Sequence, residues 1–387
     1  MTIYRTMGII LVALSMLAPV EAAHAAEAAE FSTQPVTNDG KKWRIGYYEG
    51  GDYLQYQKTL MATVRGLMKL GWIETATIPS QEGEQTRKLW AWLADNLASD
   101  YLEFVKDAHY SAGWDEQIRT RNAAALMNRL NTEKDIDLLI AMGTWAGKDF
   151  ANNRHSTPTM ILSTSDPLSA GIITSVEDSG FDHVHARVDP RRYERQVKIF
   201  HEIIGFKRLG VAFEDSVNGR SYAAIDVVER LSKERGFQVI RCYTVSDIPD
   251  ISVAEKSVTD CFEQLVNKVD AIYITEQGGV TRRSIPKLVD IAIRHNIPTF
   301  SQAGAEPVRF GVLASLSQAG LRYVGEFHAE TFAKVFNGAK PNQLEQLFEE
   351  PPKIAINLKT AELIGFDPPL VLLGAADEVF DEIAVPQ

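Results

Sequence analysis

The strongest constraint on the fold is an alternation between short apolar runs and longer amphipathic patterns along the 387 residues. In the first half of the chain, apolar runs of strand length stand at 44–48, 101–106, 137–142 and 159–163. Patterns with helical spacing stand at 55–70, at 115–130 and from residue 145 onward. Strands separated by helices are typical of a parallel sheet that carries helices on both faces and has right-handed crossovers.

The second half of the chain repeats this design. Helical patterns precede and separate further strand patterns, with helices at 193–204, 222–235, 253–268 and 285–295 and strands at 208–213, 237–243, 271–275 and 299–300. A chain of this length exceeds one ordinary core, so we expect two domains. The sequence therefore predicts two Rossmann-like α/β lobes that face each other across a cleft. Segment 166–189, rich in Ser, Gly and Asp, is the expected first crossing between them.

The N-terminus has the order of features that marks an exported protein. Arg5 precedes an uncharged apolar stretch at 7–20, and Ala23-His24-Ala25 follows it. A positive region, an apolar core and small residues at the cleavage positions are typical of a signal peptide. We expect residues 1–25 to be cleaved off near Ala25 and the mature protein to reside in the periplasm; an uncleaved anchor is the alternative.

Charge and cysteine content limit the partners. A net charge of −11 without basic clusters argues against nucleic acid and anionic membrane as partners. Cys242 lies on a predicted strand and Cys261 in the helix after it, so the pair forms a disulfide or remains as two buried thiols. Two cysteines without metal-ligand spacing give no basis for a metal site.

Catalytic patterns find little support in the sequence. His183 and His185 have the spacing of one strand face but no third ligand that would converge with them. Ser216 lacks the strained elbow pattern of a hydrolase serine. We therefore expect no enzymatic activity, no catalytic residues and no cofactor.

Candidate ligand-binding residues follow the predicted strands, because ligands of open parallel sheets bind beyond the carboxyl ends of the strands. Tyr48 and Glu49 stand beside the paired glycines Gly50 and Gly51, which allow close backbone approach; a turn with surface tyrosines is the alternative. Tyrosine offers a stacking face with a polar tip, and an acid can hold an ammonium group.

The next strand end carries Thr144 and Trp145. Thr144 can cap the helix that follows and leave adjacent N–H groups for a ligand, while Trp145 offers an aromatic wall. Plain capping and core packing are the alternative for both residues.

Three further sites contribute polar groups to the predicted cleft. They are Ser165 with Asp166, which either holds a ligand amine or fixes a turn, and the loop residues Glu214, Asp215, Glu276 and Gln277 of the second lobe. Acids from both lobes, together with aromatic residues, would favour a ligand that carries a positive charge. This combination suggests an amino acid or an amine.

Four segments of the chain also resemble a known family. They are 44–46 with 65–72, then 137–144, then 158–171, and the C-terminal 356–379 with its Asn-Leu-Lys-Thr-Ala and Ala-Ala-Asp-Glu-Val runs. In these segments the chain resembles the ABC transporter substrate-binding protein family, whose characterised relatives include importers of tryptophan and other aromatic amino acids. The polar section 75–100 is longer than the family pattern, and 177–180 replaces an expected Pro-Gly turn.

The resemblance implies a type I periplasmic-binding architecture with a hinge of three crossing segments. It implies a first lobe of 40–172 plus 318–340 and a second lobe of 173–317 plus 341–387. A monomer of this class would capture a small molecule in the cleft and deliver it to an ABC permease in the inner membrane. A secreted sensing module that signals to a membrane receptor or kinase is the alternative.

Overall fold

The computed structural model describes residues 31–317, 321–349 and 353–385. The expected signal peptide lies outside these residues. Among the helices that the structure describes, none has the length and apolar content needed to cross a membrane.

Two sheets organise the described chain, as the repeated alternation predicts. The first sheet has the strand order β2-β1-β3-β4-β5 and is parallel throughout. Its strands are β1 (Trp43–Glu49), β2 (Leu102–Ser111), β3 (Leu138–Met142), β4 (Thr159–Leu162) and β5 (Val184–Ala186). The helices between them are α1 (Leu54–Lys69), α2 (Arg87–Asn96), α3 (Glu116–Thr132) and α4 (Gly143–Phe150).

The second sheet has the order β12-β11-β10-β9-β8-β6-β7 and is parallel except between β10 and β11. Its strands are β6 (Arg208–Phe213), β7 (Gln238–Tyr243), β8 (Ala271–Ile274), β9 (Thr299–Ser301), β10 (Ala314–Ser317), β11 (Lys353–Asn357) and β12 (Ala376–Phe380). The remaining helices are α5 (Arg192–Ile204), α6 (Val217–Tyr222), α7 (Ile225–Arg235), α8 (Ile251–Leu265), α9 (Ile285–Arg294), α10 (Ala305–Arg309), α11 (Arg322–Phe336), α12 (Leu358–Leu363) and α13 (Leu370–Ala375).

Local sequence signals explain where these elements lie. Every residue of β3 is buried, because helices cover both faces of a parallel sheet. Asp115 caps α3 and accepts hydrogen bonds from the backbone N–H groups of Gln117 and Ile118. Helices α5 and α7 end at Gly205 and Gly236, which adopt the left-handed conformation that glycine tolerates.

Helix α11 returns from the second sheet to pack on the first lobe. Its Gly325 lies against Gly66 of α1 so closely that a Cβ atom on Gly66 would come within 2.6 Å of the Gly325 carbonyl oxygen. Two glycines at one helix crossing allow the backbones to approach this closely. The chain therefore passes between the lobes after β5, after β10 and again before β11, which confirms the three crossings expected.

The expected lobe boundaries at 172 and 341 are both wrong. Strand β5 pairs with β4, with Val184 opposite Thr159, so the first lobe continues beyond residue 182. The segment rich in Ser, Gly and Asp turns within the first lobe, where the Thr174 N–H donates to the Ser179 carbonyl, and it then forms the edge strand. The returning chain also stays beside this edge, because Leu347 forms a bridge with Val188.

The two cysteines form a disulfide. Cys242 on β7 is bonded to Cys261 on α8 and thus joins the edge strand of the second sheet to the helix that covers it. Of the two alternatives open from the sequence, the paired state is the one present.

The polar section 75–100 covers the β2 edge of the first lobe. Trp90 of α2 donates its indole N–H to the Val105 carbonyl over 3.0 Å and packs against the rings of Tyr47 and Phe104. Helix α2 therefore belongs to the core of the first lobe rather than to a separate unit.

Candidate ligand-binding site

A cavity with about 450 Å³ of empty space lies where the strand ends of the two sheets face each other. Its lining comes from both lobes: Tyr53, Tyr56, Trp114, Thr144, Trp145, Ser163 and Ser165 from the first, and Tyr222, Asp247, Glu276, Gln277 and Gly278 from the second.

Aromatic rings form most of the wall that belongs to the first lobe. Trp114 and Trp145 meet edge to face with their ring centroids 5.4 Å apart, and Tyr53 and Tyr56 do the same at 5.2 Å. Tyr222 contributes a further ring from the second lobe. Such faces suit an aromatic ring or a cation, since the π-face carries partial negative charge.

Helix α4 begins beside this cavity at a glycine, Gly143. Gly143 has φ of +85°, and a Cβ atom there would lie 1.8 Å from the Tyr56 hydroxyl oxygen. The helix starts at Gly143 with Met142 as an N-cap that offers no side-chain hydrogen bond. Thr144 is therefore inside the first turn and is not the cap, contrary to the expectation. The uncapped N–H groups of this turn suit a negatively charged group of a ligand.

Asp247 supplies negative charge from the second lobe. Burial raises the pKa of this carboxyl to about 6, and the charge of Glu214 adds to the rise. Ser246 donates a hydrogen bond of 3.0 Å to Asp247, and the charge of Arg119 offsets part of the rise in pKa, but no ion pair to Asp247 is found among the described residues. The neighbouring indole N–H of Trp145 is buried without a hydrogen bond of ordinary geometry to a described residue.

Glu276 is held in a different way. One carboxylate oxygen accepts a bond of 2.9 Å from Arg192, and the other accepts a bond of 3.0 Å from the Ser165 hydroxyl across the cleft. Arg192 balances the charge of Glu276, so Asp247 is the better candidate to meet a cationic ligand.

The structure brings five of the ten expected residues to the cavity: Thr144, Trp145, Ser165, Glu276 and Gln277. Gln277 is anchored within its own lobe, because its amide donates to the Ala212 carbonyl and accepts from the Thr244 hydroxyl. Its amide atoms are thus engaged within the lobe, and Gln277 contributes to the shape of the cavity wall.

Tyr48 and Glu49 do not line the cavity. Both are fully buried under the helices of the first lobe. Tyr48 donates to Asp149 over 2.8 Å, and Glu49 accepts from the hydroxyls of Tyr47 and Thr86. Their side chains point to the two faces of β1, as strand geometry requires, and not beyond its end.

Asp166, Glu214 and Asp215 also lie outside the cavity lining. Asp166 accepts bonds from the N–H and the hydroxyl of Ser169, which is the turn-fixing alternative. Glu214 accepts from the hydroxyl of Tyr222 over 3.1 Å and so positions a ring of the site. Asp215 is half-exposed and lies 3.7 Å from Arg220.

The residues that sequence reasoning missed lie past the ends of two strands or at the start of a helix. Strand β2 runs to Ser111 rather than 106, which brings Trp114 to the carboxyl edge of the sheet. Asp247 lies four residues past the end of β7, which the sequence placed correctly at Tyr243. Tyr56 lies in the first turn of α1, where the sequence predicted only a helix, and Tyr53 is the N-cap of that helix. A correct end for β2 is the signal that would have identified Trp114.

Two α/β lobes, three crossings and a cavity at the facing strand ends define a bilobed small-molecule-binding protein with the type I periplasmic-binding fold. Residues 95–380 match the model of the family described as ABC transporter substrate binding protein. The chain belongs to that family.

Individual relatives agree with this assignment. A protein named "Tyrosine-binding protein" from Clostridioides difficile strain R20291 is 22% identical over 284 residues, which cover 70% of this chain and 76% of the relative. Two solved structures share the fold at 18% identity, and in both comparisons 88% of this chain matches 100% of the other. They are a conserved domain protein from Vibrio cholerae, with a TM-score of 0.66, and an ABC domain in complex with L-Trp from Streptococcus pneumoniae, with a TM-score of 0.65.

Proposed function

We propose that this protein captures an amino acid with an aromatic side chain in the cavity between its lobes and delivers it to an ABC permease. The observation that carries the proposal is the combination of aromatic walls with the carboxylate of Asp247, which has no ion-pair partner among the described residues. The names of the relatives, one tyrosine-binding and one solved with L-Trp, support the same ligand class.

Each part of such a ligand has a matching surface in the cavity. The aromatic ring would pack against the wall formed by Trp114, Trp145 and Tyr56, and the ammonium group would meet Asp247. The carboxylate would accept hydrogen bonds at the first turn of α4, where N–H groups are free of helix partners. A simple amine with the same ring would lack the last of these interactions.

Closure of the lobes would accompany binding. Contacts already cross the cleft around the cavity: Gln55 donates to the Ala303 carbonyl over 3.0 Å, and Lys148 donates to Asn218 over 2.6 Å. A ligand that touches both lobes adds to such contacts only in the closed form, so it shifts the population toward closure. We propose that a permease in the inner membrane recognises this closed form, and that the protein works in the periplasm without catalysing a reaction.

Calorimetry on the mature protein tests the ligand class. We expect L-tyrosine or L-tryptophan to bind at micromolar concentration or below, tyramine and L-leucine to bind at least tenfold more weakly, and L-glutamate not to bind. Tyramine keeps the ring and the ammonium group but lacks the carboxylate, whereas leucine lacks the aromatic ring. Tight binding of an acidic or a sugar ligand, with none of the aromatic amino acids bound, would refute the proposal.

A further inference from the structure

A second, larger space adjoins the ligand cavity, and one side chain lies between them. The outer groove has about 1280 Å³ of empty space between the lobes and includes Glu84 and Arg282 in its lining. Trp114 lines both this groove and the ligand cavity. We propose that the indole of Trp114 is the specificity-determining wall that excludes ligands whose side chain is longer than a single aromatic group. This inference rests on the proposed function.

Trp114 is held in a backbone conformation that a bulky residue rarely adopts. Its φ is +60°, in the left-handed region. Such conformations persist only where the surroundings enforce them, and they concentrate at sites that clamp ligands. The backbone N–H of Trp114 donates to the Gly50 carbonyl over 2.8 Å, and its indole N–H donates to the Asp52 carbonyl over 3.1 Å. Both bonds tie the residue to the loop after β1.

The paired glycines of that loop accommodate the ring. A Cβ atom on Gly50 would lie 2.7 Å from the indole of Trp114, and one on Gly51 would lie 2.6 Å from it. The sequence suggested that these glycines allow a ligand to approach the backbone. Their closest neighbour is instead the indole ring, so the Gly-Gly pair serves to set the position of the wall.

The Trp114 ring also contacts the other aromatic rings of the cavity wall. One edge of Trp114 packs against Trp145 with the rings at 84° to each other, and the Tyr56 ring lies 6.3 Å away. Trp114 is therefore part of the aromatic wall on which the ligand ring would pack, and the same residue also lines the outer groove. Removal of the indole would join the two spaces and leave room for a substituent on the ring of the ligand.

Trp114→Gly tests the inference, because glycine removes the ring and also suits the positive φ. The two probes are L-tyrosine and O-benzyl-L-tyrosine, titrated by calorimetry. We expect wild-type protein to bind tyrosine at least a hundredfold more tightly than the benzyl ether. In the variant we expect this preference to fall at least tenfold, with affinity for the benzyl ether increased.

Two further variants make the outcome decisive. Trp92→Ala removes a half-buried tryptophan of α2 outside the cavity and should leave the preference unchanged. Gly51→Ala keeps Trp114 but pushes its ring from its position, and it should lower the preference even if Trp114→Gly does not fold. If the wild type binds tyrosine but the preference is unchanged in Gly51→Ala or in folded Trp114→Gly, the role of Trp114 is overturned and the proposed function stands. Failure of the wild type to bind tyrosine or tryptophan would overturn the proposed function as well.

Discussion

The two lobes contribute to the cavity in different ways. The first lobe supplies rings that are fitted closely against glycines, as Tyr56 against Gly143 and Trp114 against Gly51. The second lobe supplies carboxylates, with Asp247 and Glu276 on loops that follow β7 and β8. On the proposed function, the first lobe would select the shape of the ligand and the second would select its charge. A ligand that contacts both lobes makes all of these interactions only in the closed form.

Asp247→Asn removes the charge of the second lobe and should have the largest effect. A hydrogen bond to a charged group contributes about 2 kcal/mol, so we expect affinity for the aromatic amino acid to fall about thirtyfold. Calorimetry at pH 7.5 measures this loss. Asp215→Asn, which changes a half-exposed acid outside the cavity, is the matched control. Equal affinities in both variants would break the assignment of charge selection to Asp247.

Trp145→Ala removes part of the aromatic wall of the first lobe. We expect affinity to fall roughly tenfold, about 1.4 kcal/mol, because the ligand ring loses one packing face and Trp114 loses its edge contact. A thermal melt must show that the variant folds, and Trp92→Ala serves as the control. If the folded variant keeps wild-type affinity, the first lobe does not select by aromatic packing.

The pH dependence of binding separates charge selection from shape selection. The pKa of Asp247 in the unliganded protein is about 6, and a cationic ligand favours its ionised form. The contribution of Asp247 to ligand affinity is therefore full above pH 6 and is lost as the pH falls through that value. We expect affinity about tenfold lower at pH 5 than at pH 7 in the wild type, and nearly constant affinity in Asp247→Asn. The same slope in both proteins would assign the titration to another group.

Ser165→Ala weakens a contact between the two lobes and should have the smallest effect. The Ser165 hydroxyl donates to Glu276 across the cleft, and its loss should lower affinity about threefold to fivefold through less favourable closure. Small-angle scattering of the ligand-free variant should show a larger radius of gyration. Ser169→Ala, whose hydroxyl meets only Asp166 of its own lobe in the described structure, should change neither quantity.

Periodicity predicted the two sheets and most helices, because a buried parallel strand and an amphipathic helix each leave a local pattern in the sequence. It could not predict lobe boundaries, since strand β5 has three residues and gains its place only by pairing with β4. The residues of the candidate site were likewise predictable in part. Thr144 and Ser165 lie just beyond strand ends that the sequence placed well, whereas Trp114 required the true end of β2, and Asp247 lies four residues past a strand whose end was placed correctly.

Tyr48 and Glu49 show a further limit of the sequence. Both precede a loop at the correct edge of the sheet, yet their partners Asp149 and Thr86 are far along the chain and hold them in the core. The direction of a side chain at the end of a strand depends on such distant partners, which the local pattern does not contain.

A crystal structure of the mature protein with a bound aromatic amino acid is the most direct test of the central claim. We predict the ligand ring against the wall formed by Trp114 and Trp145, its ammonium nitrogen within about 3.2 Å of an Asp247 oxygen, and both lobes in contact with the ligand. A ligand bound to one lobe only, or with its ammonium group away from Asp247, would contradict the division of roles between the lobes.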